Sequence, residues 1–259
     1  MENLRQRLDE LKAAARLPLS QVRGPRPAAP TRNLPEIAPG IERHSGGTPF
    51  WEVETAFQEA CERHGVELPK RVTTLQSRPA IAQIAQLDPG RTILIDIETG
   101  GFSGTEVFLI GLVPLDGRPL RVIQWLARDY PEEAGILAAL AELAGRRDAW
   151  VTFNGKSFDE PFLRDRAAVH RVRLSRPRVH VDLLHHARRQ WGPWLPNCRL
   201  QTLEQHLLGW RRIGDVPSSD IPDLFHHFIR TGNADLIRPV LEHNQLDLIS
   251  CTELLLHLT

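Results

Sequence analysis

The chain has 259 residues, of which 41% are hydrophobic and 25% are charged, and its formal net charge is zero. These values are typical of a globular protein and allow one sizeable domain with appendages or two small domains. No apolar run approaches the roughly 18 residues of a membrane span, and the charged start of the chain lacks an apolar core, so we expect neither a transmembrane helix nor a secretory signal. Three cysteines without a CxxC spacing argue against a disulfide framework and a thiolate zinc site, and they predict a cytoplasmic location.

The charge is unevenly distributed along the chain. The segment from Arg164 to Arg212 contains eleven arginines and only three acids. Two interpretations stay open: an ordinary solvated surface, or a positive rim that follows a phosphate backbone.

The first ninety residues are predicted to be appendages. Residues 1–45 are predicted to form a short amphipathic helix over 2–16 and then a flexible proline-rich arm. Residues 46–90 are predicted to be a helical lead-in segment, with a helix over residues 50–64. The main domain is therefore expected to span residues 91–259.

From residue 91 the pattern predicts three consecutive strands and then an alternation of helices and strands. The first of these helices is expected to have Pro131 at its first position, and the second is expected to begin with a capping box from Ser157 to Glu160. Residues beyond about 183 are predicted to be mostly helical. This order indicates an α/β domain with a mixed five-stranded sheet and helices on both faces. The predicted strands cover residues 91–98, 105–115, 119–127, 149–154 and 178–182.

The first predicted strand lies in ILIDIETGG and ends in two acids, Asp96 and Glu98. Residues two apart in a strand point to the same face, so the two carboxylates are neighbours. Like charges at this distance repel each other unless a cation lies between them. Mg²⁺ and Mn²⁺ prefer oxygen ligands and would provide that charge. Taken alone, the pair is common and is better explained as two solvated acids at a strand end.

Two further segments carry candidate site residues. In FNGKSFDEPFL, Asp159 falls in the first turn of a helix that follows a strand, a position that acids also favour because of the helix dipole. In LEHNQLDLIS, His243 and Asp247 are four residues apart and share one helical face, which makes the histidine a candidate base or water-orienting group. Four carboxylates from three elements would hold two metal ions roughly 4 Å apart and act on a phosphodiester.

These motifs resemble those of the DEDD superfamily of 3′–5′ exonucleases, which have a ribonuclease H-like fold. The resemblance covers residues 92–259 well. Along DLLHHARRQW, CRLQTLEQHLLG and DVPSSDIPDLFHHFIRTG the chain is similar to the bacterial YprB-type predicted exonucleases. The three motifs of the superfamily are matched by Asp96 and Glu98, by Asn154, Phe158 and Asp159, and by His243 and Asp247.

The resemblance implies a role for each of these positions. Asp96 would bridge two Mg²⁺ or Mn²⁺ ions, Glu98 and Asp247 would complete one metal site, and Asp159 would serve the other. Glycines after the first motif allow close approach of a nucleotide, and a phenylalanine there would stack on a base or pack against a helix. The implied substrate-binding residues are Thr99, Gly100, Phe102 and Asn154.

His243 departs from both subclasses of the resemblance. The histidine subclass usually places its histidine five residues before the last aspartate, whereas the tyrosine subclass places its tyrosine four residues before it. Here a histidine stands four residues before Asp247, and Glu242 stands at five. The sequence therefore leaves open whether His243 is a general base or only orients water.

The predicted function is metal-dependent hydrolysis of phosphodiester bonds from the 3′ end of single-stranded DNA or RNA. A catalytically silent nucleic-acid-binding or scaffold module with the same fold is one alternative, and a structure-specific endonuclease is another. No membrane contact is expected. The sequence does not choose between DNA and RNA, and it indicates no protein partner or oligomeric state.

Overall fold

The computed structural model describes residues 37–67, 84 and 87–258. The predicted helix over 2–16 and most of the proline-rich arm lie outside the described residues. Within the described part of the chain, no helix combines the length and the apolar character that crossing a membrane requires.

A seven-stranded mixed sheet forms the centre of the described structure. Its strands are β1 (Ile41–Ser45), β2 (Thr48–Ala56), β3 (Thr92–Thr99), β4 (Val107–Pro114), β5 (Arg121–Leu126), β6 (Ala149–Thr152) and β7 (Val179–Asp182). The spatial order is β1-β2-β5-β4-β3-β6-β7. Neighbours from β1 to β3 are antiparallel, whereas β3–β6 and β6–β7 are parallel. All five strands predicted from the sequence are present.

Helices cover both faces of the sheet, as predicted. They are α1 (Phe57–Arg63), α2 (Glu133–Ala144), α3 (Asp159–Val169), α4 (Leu183–Gln190), α5 (Leu200–Leu203), α6 (Ile221–Thr231) and α7 (Arg238–His257). Because side chains alternate along a strand, β3 contributes to two separate cores. Ile93, Ile95 and Ile97 pack with residues of α2, α3 and α6. Leu94 packs on the opposite face with residues of α1, α4 and the second half of α7.

Strands β1 and β2 correct the predicted organisation of the N-terminal part. The helix expected over residues 50–64 begins only at Phe57, and residues 48–56 form a strand of the main sheet. Gly46 and Gly47, with φ of 56° and 79°, form the two-residue connection of a β-hairpin. Two left-handed residues between strands are the conformation that glycine permits and that hairpins favour. The glycine pair was therefore the sequence signal for the hairpin.

The parallel strands determine where the candidate residues meet. Because β3, β6 and β7 run in the same direction, their carboxyl ends lie at one edge of the sheet. In open α/β sheets that edge is the usual place for a ligand. Three parts of the chain lie at this edge: Glu98 near the end of β3, the turn of residues 153–158 after β6, and Asp182 at the end of β7.

Candidate metal and catalytic site

Asp96 and Glu98 lie on β3, the strand between the antiparallel and parallel halves of the sheet. Burial, followed by the charges of Asp247, Glu98 and Asp159, raises the pKa of Asp96 well above its ordinary value. Burial also raises the pKa of Glu98 to about 8; the charge of His243 opposes this rise, and the charges of Asp247 and Asp159 add to it. No lysine or arginine among the described residues forms an ion pair with either carboxylate. The two acids are therefore held together without a lysine or arginine partner in the described part of the chain.

Asp159 is the first residue of α3 and is 5% exposed. Burial raises its pKa to about 7, partly offset by main-chain hydrogen bonds at Asp159 and Ile97. The bond at Ile97 places the carboxyl group beside the segment of β3 between Asp96 and Glu98. The charge of Asp247 also acts on it, so the third carboxylate joins the same cluster.

The turn before Asp159 is held by Asp182, a residue that the sequence did not single out. The fully buried Asp182 carboxylate accepts hydrogen bonds from the main-chain N–H groups of Asn154 (2.9 Å), Lys156 (3.1 Å) and Leu184 (3.1 Å). Asn154 has a φ of 64°, and a Cβ at Gly155 would lie 2.4 Å from the Thr152 side chain. The turn is therefore fixed, and Asp159 with it.

The capping box expected from Ser157 to Glu160 is wrong. Helix α3 has no side-chain cap, and its first turn is completed by the main chain. Ser157 N–H donates to the Asn154 carbonyl at 3.1 Å, and Glu160 N–H donates to the Gly155 carbonyl at 2.9 Å. Because the turn already satisfies these donors, no hydroxyl cap is needed.

His243 and Asp247 lie one turn apart on α7 and face β3. Ligand atoms of Glu98, His243 and Asp247 all lie within 4.8 Å of one another. His243 Nε2 is 3.6 Å from Asp247 Oδ2, and the histidine is 4% exposed. The structure thus brings together all five residues that the sequence grouped as catalytic or metal-binding.

Asp215 orients His243. Its Oδ1 accepts a hydrogen bond from His243 Nδ1 at 2.8 Å, which directs Nε2 toward Glu98 and Asp247. Burial would lower the pKa of His243, but the hydrogen bond to Asp215 and the charges of Asp247 and Glu98 raise it to about 9. Burial would raise the pKa of Asp215, yet His243 and Arg212 hold it below its ordinary value. A histidine between a carboxylate and a reaction centre has the geometry of a general base.

Arg212 links the site to a second set of acids. Its guanidinium donates to Asp247 Oδ1, to Asp215 Oδ2 at 3.1 Å and to Glu204 Oε1 at 2.5 Å. Glu204 opens a π-helical turn (Glu204–Leu208) and accepts a further bond from Ser250 at 2.6 Å. One buried cation is therefore shared among three carboxylates.

Sequence reasoning missed Arg212 and Asp215. Both precede His243 by about thirty residues in a segment without helical or strand periodicity, so spacing gave no constraint on their position. The two arginines between Gly209 and Gly214, followed at once by Asp215, were the available signal. Only the fold, which places this segment against α7, shows that Arg212 and Asp215 contact Asp247 and His243.

The loop after β3 carries the predicted substrate-binding residues. Thr99 is buried and its hydroxyl donates to the Gly101 carbonyl at 3.0 Å. Gly100 has no room for a side chain, since a Cβ there would lie 2.1 Å from Glu106 Oε1. Phe102 is 95% exposed, so it does not pack against a neighbouring helix. Asn154, at the same sheet edge, is exposed as well.

The donor set fits hard divalent cations. Carboxylate oxygens suit Mg²⁺ and Mn²⁺, and the described part of the chain places no thiol among the grouped ligand atoms of Glu98, His243 and Asp247. Buried acids that raise one another's pKa are the arrangement that a bound cation relieves. The residues of the site therefore fit a divalent metal ion.

Comparisons with known proteins define the family. A family model described as the RNase_H superfamily matches residues 93–259. "Uncharacterized protein YprB" of Bacillus subtilis (strain 168) is 30% identical over 249 residues, which cover 84% of this chain and 60% of that protein. The chain belongs to the RNase_H superfamily, and it spans about three fifths of the length of this relative.

A solved structure shows the same fold. The family B DNA polymerase from the hyperthermophilic archaeon Pyrobaculum calidifontis superposes with a TM-score of 0.50 and 16% sequence identity. The match covers 63% of this chain and 24% of the polymerase chain. The predicted ribonuclease H-like α/β fold is thereby confirmed.

Proposed function

We propose that the protein is a metal-dependent nuclease of the DEDD type that removes nucleotides from the 3′ end of single-stranded DNA or RNA. The observation that carries the proposal is the convergence of Asp96, Glu98, Asp159 and Asp247 beside a histidine oriented by Asp215. A module that only bound nucleic acid would have no use for clustered acids, which repel phosphates. The membership of the RNase_H superfamily supports the same conclusion.

Each acid has a distinct place in the proposed metal centre. Asp96 would bridge two Mg²⁺ or Mn²⁺ ions, Glu98 and Asp247 would complete one site, and Asp159 would complete the other. Bound there, the ions supply Lewis-acid stabilisation of the charge that develops on the phosphodiester. The turn fixed by Asp182 keeps Asp159 at the edge of β3.

His243 is the proposed general base. The charges of Asp247 and Glu98 are among the causes that raise the pKa of His243, so cations held by these acids would lower it and leave Nε2 free to accept a proton from the attacking water. Nδ1–H stays bonded to Asp215, whose carboxylate stabilises the imidazolium that forms. The water oxygen would bond to phosphorus while the bond from phosphorus to the preceding 3′ oxygen breaks. That oxygen would take up a proton from solvent water and leave as a hydroxyl, and His243 would return its proton to solvent.

The loop after β3 is the proposed binding site of the terminal nucleotide. Thr99 and Gly100 begin this loop and are buried, so they would hold in place the exposed part of the loop that meets the nucleotide. The exposed ring of Phe102 would stack on a base. Asn154 lies at the same sheet edge and completes the proposed contacts.

Part of the arginine-rich segment is consistent with a phosphate-binding rim, and part is not. Arg166 and Arg178 form ion pairs with Glu133 and Asp148, and Arg212 is buried. Other basic side chains of the segment are exposed on α4, next to the turn before Asp159; they are His185, Arg188 and Arg189. Lys156 in that turn is exposed as well. A strand that enters the site from this side would have its phosphates neutralised.

The test is a nuclease assay on single-stranded DNA and RNA with Mn²⁺, in which an Asp96→Asn variant is the control. We expect the wild-type protein to release mononucleotides stepwise from a free 3′ end, while the variant leaves the substrate intact. Intact substrates with both proteins, over a range of metals and pH, would reject the enzymatic function in favour of the silent binding module.

Circular single strands separate the exonuclease from the endonuclease. A circular strand has no 3′ end, so we expect it to survive conditions that degrade its linear form. Cleavage of the circle would replace the exonuclease proposal with the endonuclease.

The free thiols of Cys61, Cys198 and Cys251 further support a reducing compartment, and we propose that the protein acts in the cytoplasm.

A further inference from the structure

We propose that Asn244 and Gln124 are positioning residues that hold the Asp96 carboxylate in the orientation needed to bind metal. The inference rests on the proposed function, in which Asp96 is the ligand shared by both ions. Neither residue belongs to the motifs that the sequence identified. Both act through hydrogen bonds that extend from β5 to α7 and then to β3.

Asn244 makes the direct contact with Asp96. Its Nδ2 donates to Asp96 Oδ2 at 2.8 Å, and the residue is completely buried on α7. A buried amide can replace its bonds to water only through partners that the protein places there. The bond uses one acceptor position of Oδ2 and leaves Oδ1 and the remaining lone pair of Oδ2 for other partners.

Gln124 determines which way the Asn244 amide points. Its Nε2 donates to Asn244 Oδ1 at 2.8 Å and also to the Leu241 carbonyl at 2.8 Å. The amide nitrogen has two hydrogens, and both are thereby used. A flipped Asn244 would set its nitrogen against the Gln124 nitrogen and its oxygen against the Asp96 carboxylate. The hydrogen-bond chemistry therefore allows one orientation, with the donor toward Asp96.

The sheet register aligns these groups. Asp96 on β3 lies opposite Gly111 on β4, and Gly111 lies opposite Gln124 on β5. The three residues thus form one row across three neighbouring strands, with side chains on a common face. Asn244 reaches over the middle of this row from α7.

Gly111 leaves the space that Asn244 occupies. A Cβ at this position would lie 2.2 Å from Asn244 Oδ1, closer than any real contact. Any residue other than glycine at position 111 would displace the Asn244 amide from its place between Gln124 and Asp96. The glycine in the middle of a buried strand is therefore explained by the amide above it.

Hydrogen bonds to a metal-binding carboxylate fix its orientation, and loss of such a partner typically lowers metal affinity by about 10- to 100-fold. Without Asn244, the Asp96 carboxylate would be free to rotate among three neighbouring acids that repel it. We therefore expect both positioning residues to affect metal affinity more than they affect the rate at saturating metal.

The experiment measures Mn²⁺ binding by calorimetry and, separately, the Mn²⁺ dependence of cleavage. Asn244→Leu removes the amide but keeps a similar shape, and Gln124→Met removes the donor about two strand spacings, or roughly 10 Å, from Asp96. Gln245→Met is the matched control, because Gln245 lies on the same helix with 3% exposure but bonds to His64 at 3.0 Å.

We expect about 10- to 100-fold weaker Mn²⁺ binding in Asn244→Leu. A smaller loss is expected in Gln124→Met and wild-type affinity in the control. High Mn²⁺ should restore most of the cleavage rate. Because Gln124 acts through Asn244, Gln124→Met should have no further effect on Mn²⁺ affinity in the Asn244→Leu background.

Wild-type Mn²⁺ affinity in a folded Asn244→Leu protein would overturn the inference and leave the proposed function standing. If that variant does not fold, Gln124→Met decides the matter in the same way. A wild-type protein that binds no Mn²⁺ would reject both the positioning role and the metal centre.

Discussion

The candidate site and the cluster around Glu133 contain buried carboxylates in opposite electrostatic settings. Glu133 on α2 is 1% exposed and accepts bonds from Arg166 at 2.6 and 2.7 Å, from His170 at 2.7 Å and from the Val107 N–H at 2.8 Å. Each of its oxygens has at least two partners. Asp96, Glu98 and Asp159 have no arginine or lysine partner among the described residues, and burial raises the pKa of all three, although His243 lies beside Glu98.

The difference supports a stabilising role for the Glu133 cluster and the proposed ligand-binding role for the site. Burying an ionised carboxylate costs several kcal/mol unless it is paired and hydrogen-bonded, and Glu133 satisfies that condition. The site acids do not, so the folded chain holds them at a cost that a bound cation would remove. Strained electrostatics of this kind are concentrated at functional sites.

The largest expected effect is that of Asp96→Ala. Nuclease activity should fall below detection, since the residue proposed to bridge both ions is gone. The melting temperature should stay equal or rise, because one of several repelling acids has been removed. Activity assays and thermal denaturation on the same preparation check this. Full activity in the variant would rule out the bridging role.

Asp215→Asn tests which cluster Asp215 belongs to. It is paired like Glu133, yet it orients a residue of the site. The variant should cleave more slowly, with a loss within the range of about 10²- to 10⁴-fold that general-base catalysis contributes. The dependence of the cleavage rate on pH should change as well, because the hydrogen bond to Asp215 raises the pKa of His243. An unchanged rate and profile would assign Asp215 to structure alone.

Glu133→Gln should lower the stability of the fold rather than the nuclease activity, which is the reverse of the effect expected for Asp96→Ala. Arg166 would lose its charged partner in a mostly buried position, which typically costs about 3–5 kcal/mol of unfolding free energy. Urea denaturation measures the loss. A Glu133→Gln protein as stable as wild type would show that the cluster does not stabilise the fold.

The pH dependence of the metal-free protein follows from the raised pKa values. Glu98, with a pKa of about 8, and Asp159, with about 7, keep protons in the folded state that the unfolded chain releases near pH 4–5. The folded state then binds more protons, so stability should fall as the pH rises from about 5 to about 8. His243, with a pKa of about 9, acts in the same direction.

Added Mg²⁺ should stabilise the protein increasingly over that range, because the ions replace the protons on these acids. Melting temperatures measured with Mg²⁺ and with a chelator give the comparison. A metal-free protein that becomes more stable toward high pH would contradict the assigned electrostatics.

The smallest expected effect is that of Phe102→Ala, on the loop that connects the two clusters. Loss of one base-stacking ring, worth about 1–3 kcal/mol, should weaken single-strand binding and raise KM without changing stability. Val169→Ala, at the far end of α3 about 15 Å along the helix from Asp159, is an exposed apolar control. Equal KM values for both variants would remove Phe102 from the binding site.

Local sequence patterns predicted the central part of the fold and the acids of the site. The alternation in ILIDIETGG predicted the two faces of β3, and the i,i+4 spacing predicted that His243 and Asp247 share a side of α7. These relations depend on neighbouring residues, so they can be recognised without knowing the fold.

The contacts that organise the site could not be predicted in this way. Asp215 reaches His243 across 28 residues, and Asn244 reaches Asp96 across 148. Such partners are determined by how α7 crosses the sheet and by the register that places Gly111 under the amide. The β1–β2 hairpin was missed for another reason, since the short run around FWEVETA is compatible with both helical and strand periods.

The most direct test is a calorimetric Mn²⁺ titration of the wild-type protein beside Asp96→Asn. If Asp96, Glu98 and Asp159 lack a lysine or arginine partner because they bind metal together with Asp247, the wild-type protein should bind two ions per chain. Asp96→Asn should then bind more weakly or with fewer ions. Absence of Mn²⁺ binding to the folded wild-type protein, at concentrations that support known two-metal nucleases, would contradict this explanation of the site.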